Sequence, residues 1–354
     1  MKHTILVTGG SGFIGSNFIQ YLINNTDYQL IINLDKLTYA GNPDNLINID
    51  NNKRYKFIKG DICNRNFIKN IYEDYQPNKI VHFAAESHVD RSIDGPKDFI
   101  NTNIIGTWVL LEESLRYYNK LKVSSKSSFQ FHHISTDEVF GSLGENGSFT
   151  EKTPYDPSSP YSASKASSDH LVRAWFRTFG LPITISNCSN NYGPYQFPEK
   201  LIPLMVINCL QEKSLPIYGK GDNIRDWLYV EDHCEAIKII LEEGTIGNTY
   251  NIGGNNEIRN IKIVESICII LDDLRPSNSR KSYHELITFV KDRPGHDYRY
   301  SINSTKIKKD LNWEPKNTFN SGLRKTIEWY LENEAWWKKI TENVYKQERL
   351  GAPS

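Results

Sequence analysis

The sequence is poor in cysteine, and the five it has (Cys63, Cys188, Cys209, Cys234 and Cys268) are scattered, odd in number and form no CxxC pair. That excludes a disulfide framework and points to reduced thiols in the cytoplasm. No HExxH motif occurs, and the adjacent His132 and His133 would face opposite sides of a strand, so no metal site is expected. No apolar run approaches the roughly 18–20 residues that cross a bilayer. The opening MKHTILVTGG reaches glycine after too short an apolar stretch for a signal-peptide core. An excess of one charge is missing as well, with 42 Lys+Arg against 42 Asp+Glu. Neither nucleic acid nor an anionic membrane is therefore an expected partner, although a local basic cleft for a small anion stays open. There is no internal repeat and no low-complexity tract. What is present, 38% hydrophobic and 12% aromatic residues over 354 positions, suffices for a large core in one elaborated α/β domain or two domains.

Short apolar segments alternate with helical patterns through the first half. Strands are predicted at Thr4–Val7, Ile31–Leu34, Tyr55–Lys59, Ile80–Phe83, Phe129–Ile134 and Ile183–Asn187, with helices at Ile14–Ile23, Asn66–Tyr75, Asn103–Tyr118 and Ser162–Phe179. Such alternation implies right-handed crossovers and a doubly wound parallel sheet in a first domain over residues 1–189. Beyond Asn190 the regularity fades into loops rich in Pro and Gly, which reads as a smaller second domain over 190–340 with a tail over 341–354. Part of it, around 228–253, can return to the first sheet through a strand at Thr249–Ile252. A last helix is predicted over Ile327–Ile340.

The first strand runs straight into Thr8-Gly9-Gly10-Ser11-Gly12-Phe13-Ile14-Gly15. Gly9, Gly12 and Gly15 let the backbone turn sharply and approach a pyrophosphate at the positive end of the following helix. A tight turn of this kind is often merely structural. Here a strand precedes it, a helix follows, and Asp35 closes the second strand, 20 residues beyond Gly15. A carboxylate there suits a free ribose 2′-hydroxyl and repels a 2′-phosphate, which favours NAD over NADP. Asp61 and Ile62 would flank the adenine, and Phe83, Ala84 and Ala85 would pass beneath the cofactor.

Tyr161 and Lys165 stand at i and i+4, on one face of a helix. A phenol of pKa about 10 is a poor base at neutral pH, and a neighbouring ammonium is expected to favour its phenolate. Ser135-Thr136-Asp137-Glu138 follows the fifth strand, at the carboxyl edge where open α/β sheets bind ligands. Two adjacent carboxylates there suggest a division of labour, one protonated as acid and one ionised as base. A simple helix N-cap is the plain alternative.

Together GGSGFIGS, FAAESHVDRS, STDEVFG and YSASK resemble the extended short-chain dehydrogenase/reductase family that modifies nucleotide sugars. NNYGPYQFPEKLIPL, YGKGDNIRDWLYVEDH and DRPGHDYRY add a close similarity to its dTDP-glucose 4,6-dehydratases, from residue 4 to about 335. The resemblance implies a Rossmann-type sheet with a smaller C-terminal α/β domain for the nucleotide sugar. The cofactor implied is tightly bound NAD, its site also taking in Phe13, Ile14, Lys36, Thr38 and Thr102. Thr136, Asp137, Glu138, Tyr161 and Lys165 become the catalytic set: Tyr161 deprotonates the C4 hydroxyl, Glu138 takes the C5 proton, and Asp137 protonates the departing C6 hydroxyl. Substrate contacts fall on Ser87, Thr136, Asn190, Lys200, Leu201, Pro216, Tyr218, Arg225, Asn260, Asp292, Arg293 and His296, with the cations on the diphosphate. His88 is read either as a sugar contact or as a structural histidine. A homodimer through a four-helix bundle of the Asn103–Tyr118 and Ser162–Phe179 helices is also implied. A UDP-glucose dehydratase, a 4-epimerase (which usually has a small hydroxyl residue in place of the Asp-Glu pair) and a non-catalytic NAD sensor are the competing readings.

Overall fold

The structure, a computed structural model, describes residues 3–292 and 296–345. Strands β1 (Thr4–Thr8), β2 (Leu30–Asp35), β3 (Tyr55–Lys59), β4 (Lys79–His82), β5 (Gln130–Thr136) and β6 (Ile183–Cys188) lie in one sheet. Of the later strands β7 (Asn190–Tyr192), β8 (Leu215–Tyr218), β9 (Ile224–Tyr229), β10 (Thr249–Ile252), β11 (Glu257–Arg259) and β12 (Ile287–Val290), only β10 joins them. The order is β10-β6-β5-β4-β1-β2-β3, and every pairing is parallel. This is the doubly wound α/β sheet expected from the alternating pattern. Register sets β5 against β6 from Phe131↔Ile183 to Thr136↔Cys188, so Thr136 and Asp137 emerge where the sheet ends.

The main helices are α1 (Phe13–Asn25), α2 (Arg65–Tyr75), α3 (Thr107–Lys120), α4 (Pro160–Phe179), α5 (Leu201–Leu210), α6 (Val230–Glu243), α7 (Asn260–Leu274), α8 (Phe319–Glu332) and α9 (Glu334–Asn343). Both faces of the large sheet are covered, so β1 and β5 are buried along their whole length. On one face Leu6, Ile32, Ile80 and Phe131 meet α2, α3 and α4 through Ile68, Leu110 and Val172. On the other, Ile5, Val7, Ile31 and Val81 meet α1 and α6 through Phe18, Ile19 and Ile237. A separate core of Met205, Ile217, Trp227, Ile267, Leu323 and Tyr330 gathers α5, α7 and α8 with the three-stranded β11-β9-β7 and two-stranded β12-β8 sheets.

Helix α4 starts with Pro160 after Ser159, whose hydroxyl accepts from the Ser162 amide while Ser162 caps in return, and it stops at Gly180 in the left-handed region. Two expected helices differ in detail. The Asn103–Tyr118 segment begins as a π-helical stretch over Ile100–Gly106, so regular α-helix starts at Thr107. The Ile327–Ile340 helix is two helices broken at Asn333. Its backbone N–H and its side-chain amide both donate to the Trp329 carbonyl (2.9 and 2.8 Å), closing α8 and starting α9 in a new direction.

The parallel strands carry imidazoles in the dry interior. His82 lies between the hydroxyls of Thr8 and Thr107 (2.7 and 2.9 Å), and His132 between those of Thr184 and Ser186 (2.8 and 3.1 Å). Burial is the main cause that pushes His132 and His233 down to about 3, His133 to about 4 and His82 well below its usual range. Folded-state values below the unfolded value of about 6.5 mean that this stability is complete above that pH and lost as pH falls through it. Asp226, raised by burial to about 6, works in the opposite sense and offsets part of the loss. Denaturant unfolding should therefore show stability falling by about 2 kcal/mol between pH 7 and 6, with a shallower slope in His132→Gln. A stability independent of pH across that interval would contradict the assignment of these histidines as neutral.

Candidate active site

Two cavities open above the carboxyl edge of the large sheet and share a wall. The first, of about 320 Å³, is lined by Gly9, Gly12, Phe13, Ile14, Gly15, Asp35, Lys36, Thr38, Asp61, Ile62, Phe83, Ala84, Ala85 and Thr102, and at its inner end by Thr136, Asp137, Glu138, Tyr161 and Lys165. The second, of about 300 Å³, is lined by Leu201, Pro216, Tyr218, Arg225, Asn260 and His296. Ser87, Glu138, Asn190 and Lys200 border both. Asp292 is not among the residues that line either cavity; its Oδ1 lies 2.7 Å from His296 Nδ1. Arg293 lies outside the described residues.

The glycine turn is shaped by contact. Gly9 has a φ of +72°, and a Cβ on it would lie 2.6 Å from the Ala84 amide nitrogen. A Cβ on Gly15 would lie 2.3 Å from the Gly9 carbonyl oxygen, so the start of α1 packs directly on the turn. No side chain caps α1, and its first turn carries no acid, which leaves its N-terminal amides directed at the cavity. Asp35, 8% exposed, accepts from the Ser11 amide on one oxygen and the Leu37 amide on the other (2.9 and 2.8 Å). At the far end Lys36 pairs with Asp61 at 2.8 Å.

Thr136 ends β5 and its hydroxyl accepts from the Glu138 amide at 3.2 Å, so the capping geometry weighed from sequence is real. It coexists with an exceptional electrostatic environment. Burial first, then the Glu138 and Asp226 carboxylates, raise Asp137 well above the usual carboxylate range, and the Thr136 hydroxyl donates to it at 3.3 Å. Asp137 is thus a buried carboxylic acid beside a second carboxyl group. Tyr161 departs from expectation. Burial and Glu138 push its phenol well above the ordinary value, and a hydrogen bond from Thr136 offsets only part of this. The Lys165 ammonium one turn on donates to the Ile134 carbonyl at 2.7 Å and lies 3.5 Å from His133 Nε2.

The sequence of the GDP-mannose 4,6 dehydratase family matches residues 6–326. The chain belongs to that family. It is 56% identical to a dTDP-glucose 4,6-dehydratase of Escherichia coli, covering 98% of this chain and 99% of the relative. It is 58% identical to one of Haemophilus influenzae, covering 93% and 98%. Among solved structures, a dTDP-glucose 4,6-dehydratase from Bacillus anthracis in complex with NAD superposes with a TM-score of 0.84 at 47% identity, covering 96% of this chain and 99% of that one.

Several wall residues of this family member were not anticipated. Glu199 is buried and joins the two lobes: it accepts from Arg91 Nε and the Tyr39 hydroxyl, each at 3.1 Å, and lies 3.9 Å from His88 Nε2. Arg91 also stacks over the Tyr39 ring at 3.9 Å. Lys200 next to it donates to the Ser87 carbonyl at 3.3 Å. Tyr345, beyond the last helix, lines the second cavity and packs on Phe197. No sequence signal marked Tyr345, whereas the pairing of Glu199 with Arg91 was hidden by their separation of 108 positions. Arg225, expected to face a diphosphate, lines the cavity but also donates to the carbonyls of Ile224 and Asp297 (2.8 and 2.9 Å). Gly9→Ala should lower stability by about 1–3 kcal/mol through the forced left-handed φ and the Ala84 contact, read as a denaturation midpoint. An unchanged midpoint would show that the turn is looser than described.

Proposed function

We propose that the chain is an NAD-dependent dTDP-glucose 4,6-dehydratase that forms dTDP-4-keto-6-deoxyglucose and water. The observation that carries this reading is the buried Asp137, whose carboxyl burial and Glu138 raise well above the usual range, adjoining Glu138 where the two cavities meet. A 4-epimerase has no elimination to perform and no need of an acid and base side by side.

The first cavity fits NAD. The uncapped α1 terminus and side-chain-free turn suit a pyrophosphate, Asp35 suits a ribose, and Ala84 and Ala85 keep the floor low beneath the ring. Held there, NAD would supply the hydride acceptor for C4, the hydride donor for C6 and a positive charge beside the phenol. Tyr161, with Lys165 behind it, takes the C4 hydroxyl proton. The resulting ketone acidifies C5–H, which Glu138 removes while Asp137 gives its proton to the departing C6 oxygen. Glu138 then returns a proton to C5. Over the cycle Tyr161 has gained one proton and Asp137 has given up one. Thr136, whose hydroxyl donates to Asp137 and adjoins the Tyr161 phenol, is positioned to reconnect them. Each general acid or base is typically worth roughly 10²–10⁴-fold.

In the second cavity Lys200 and Arg225 are assigned to the diphosphate, Tyr218 and His296 to the base, and Ser87, Asn190 and Asn260 to sugar and ribose hydroxyls; Arg293, outside the described residues, is assigned to the diphosphate with them. Residues 1–189 with the returning 228–253 segment form the cofactor half, and 190–340 the substrate half. We assign a homodimer through α3 and α4, a reading supported by the exposed Trp108 and Phe179 on that pair and Ile100 and Ile105 on the π-helical stretch that leads into α3. A cytoplasmic location accords with free cysteines and with the lack, among the described residues, of a helix long and apolar enough to cross a membrane. The 4-keto product is a branch point to deoxysugars such as rhamnose used in polysaccharides.

Incubation with dTDP-glucose should yield a 4-keto-6-deoxy product, with UDP-glucose turned over less well. Glu138→Gln should abolish solvent deuterium exchange at C5 while C4 oxidation persists. No product from dTDP-glucose overturns the reading, and undiminished exchange removes Glu138 from its role. Ile105→Glu with Trp108→Glu should shift sedimentation from dimer to monomer; a dimer that survives places the interface elsewhere.

A further inference from the structure

Helix α4 carries more than a tyrosine and a lysine. Tyr161, Lys165, Asp169 and Arg173 repeat every four residues and so form one stripe running from the reaction centre to the edge of the protein. Asp169 is completely buried. Its Oδ2 accepts from the hydroxyls of Ser135 and Tyr155 (2.8 and 2.7 Å), with the Asn187 amide at 3.5 Å. Its Oδ1 faces His133 Nε2 at 3.2 Å, and that nitrogen lies 3.5 Å from the Lys165 ammonium. Arg173 closes the far end by donating to the Tyr155 hydroxyl at 2.7 Å.

We propose that Asp169 is the buried counter-charge that holds Lys165 as an ammonium behind Tyr161, a positioning residue for the dehydratase chemistry. The inference rests on the function assigned above. The groups packed around the pair are His82 from β4, His133 and Asp137 from the β5 end, Cys188 from β6, Tyr155 from the preceding loop, and Tyr161 and Arg173 from α4 itself. The two imidazoles are neutral near pH 7 because burial holds both below their usual range. Burial likewise holds the Cys188 thiol and the Tyr155 phenol protonated. Asp169 is the leading group opposing the burial that pulls Lys165 down. In turn, His133, Lys165 and Arg173 overcome burial and keep Asp169 ionised. A buried cation deprived of its partner sheds its proton. A neutral Lys165 would lend Tyr161 no charge, and the phenol would need higher pH to act as base.

The near-isosteric Asp169→Asn should move the acid limb of the kcat–pH profile up by about one unit or more. Activity near neutrality should drop about 10-fold or more and recover at high pH, and Asp169→Glu should restore the profile. The tyrosinate ultraviolet difference titration, with Tyr161→Phe as background, should move in the same direction without any turnover. Should Asp169→Asn fold poorly, Lys165→Met/Asp169→Asn removes both charges and should melt higher than the single variant. A uniform loss of kcat with an unmoved acid limb and tyrosinate titration overturns the proposal, as does a double variant no more stable than the single. If the wild type does not turn over dTDP-glucose, the assigned function fails, while the tyrosinate and melting measurements still decide the part played by Asp169.

Discussion

A single bond fastens the chemistry to the fold: the Lys165 ammonium on the Ile134 carbonyl, two residues before the end of β5. It ties α4 across the carboxyl edge of the sheet, and with it Tyr161, while Thr136 and Asp137 emerge from the same strand. An ammonium in a dry interior needs a nearby acceptor and a counter-charge. The Ile134 carbonyl is the acceptor, and Asp169, beyond His133, is the counter-charge. The same dryness keeps Asp137 protonated and the sheet histidines neutral, so one constraint fixes the protonation of the whole centre.

The second lobe brings a wall to this centre. Glu199, held by Arg91 and Tyr39, and Lys200, on the Ser87 carbonyl, tie the segment before α5 to the loop after β4. The C-terminal helix adds the Trp336 indole donating to the Asn45 side chain at 2.8 Å, a second tie between distant parts of the chain. A chain with no net charge thus places a few cations at this wall, Lys200 and Arg225 anchored by backbone carbonyls and Arg91 by the buried Glu199.

Much of this was legible in the sequence. Strand and helix alternation gave the parallel sheet, because strands buried on both faces are rich in apolar residues and each is followed by a helical pattern. The glycine turn, Asp35, the Asp137–Glu138 pair and the Tyr161–Lys165 spacing are local patterns whose chemistry depends on near neighbours in the chain. Contacts made across long separations were not legible. Glu199 with Arg91, Tyr345 in the second cavity and Asp169 behind Lys165 acquire meaning only when distant elements pack. The break at Asn333 was missed because one asparagine side chain closed a helix whose aromatic spacing otherwise continued. The place of the Lys165 ammonium was illegible for a related reason. Spacing placed a lysine one turn away but gave no account of where its ammonium pointed.

The central claim is that one site oxidises C4, eliminates across C5 and C6, and reduces C6 without releasing the sugar. Substrate labelled with deuterium at C4, converted in unlabelled water and analysed by NMR and mass spectrometry, tests it directly. The account predicts that the label appears in the C6 methyl group of the product with none lost to solvent. Label retained at C4, or washed out into water, would contradict it.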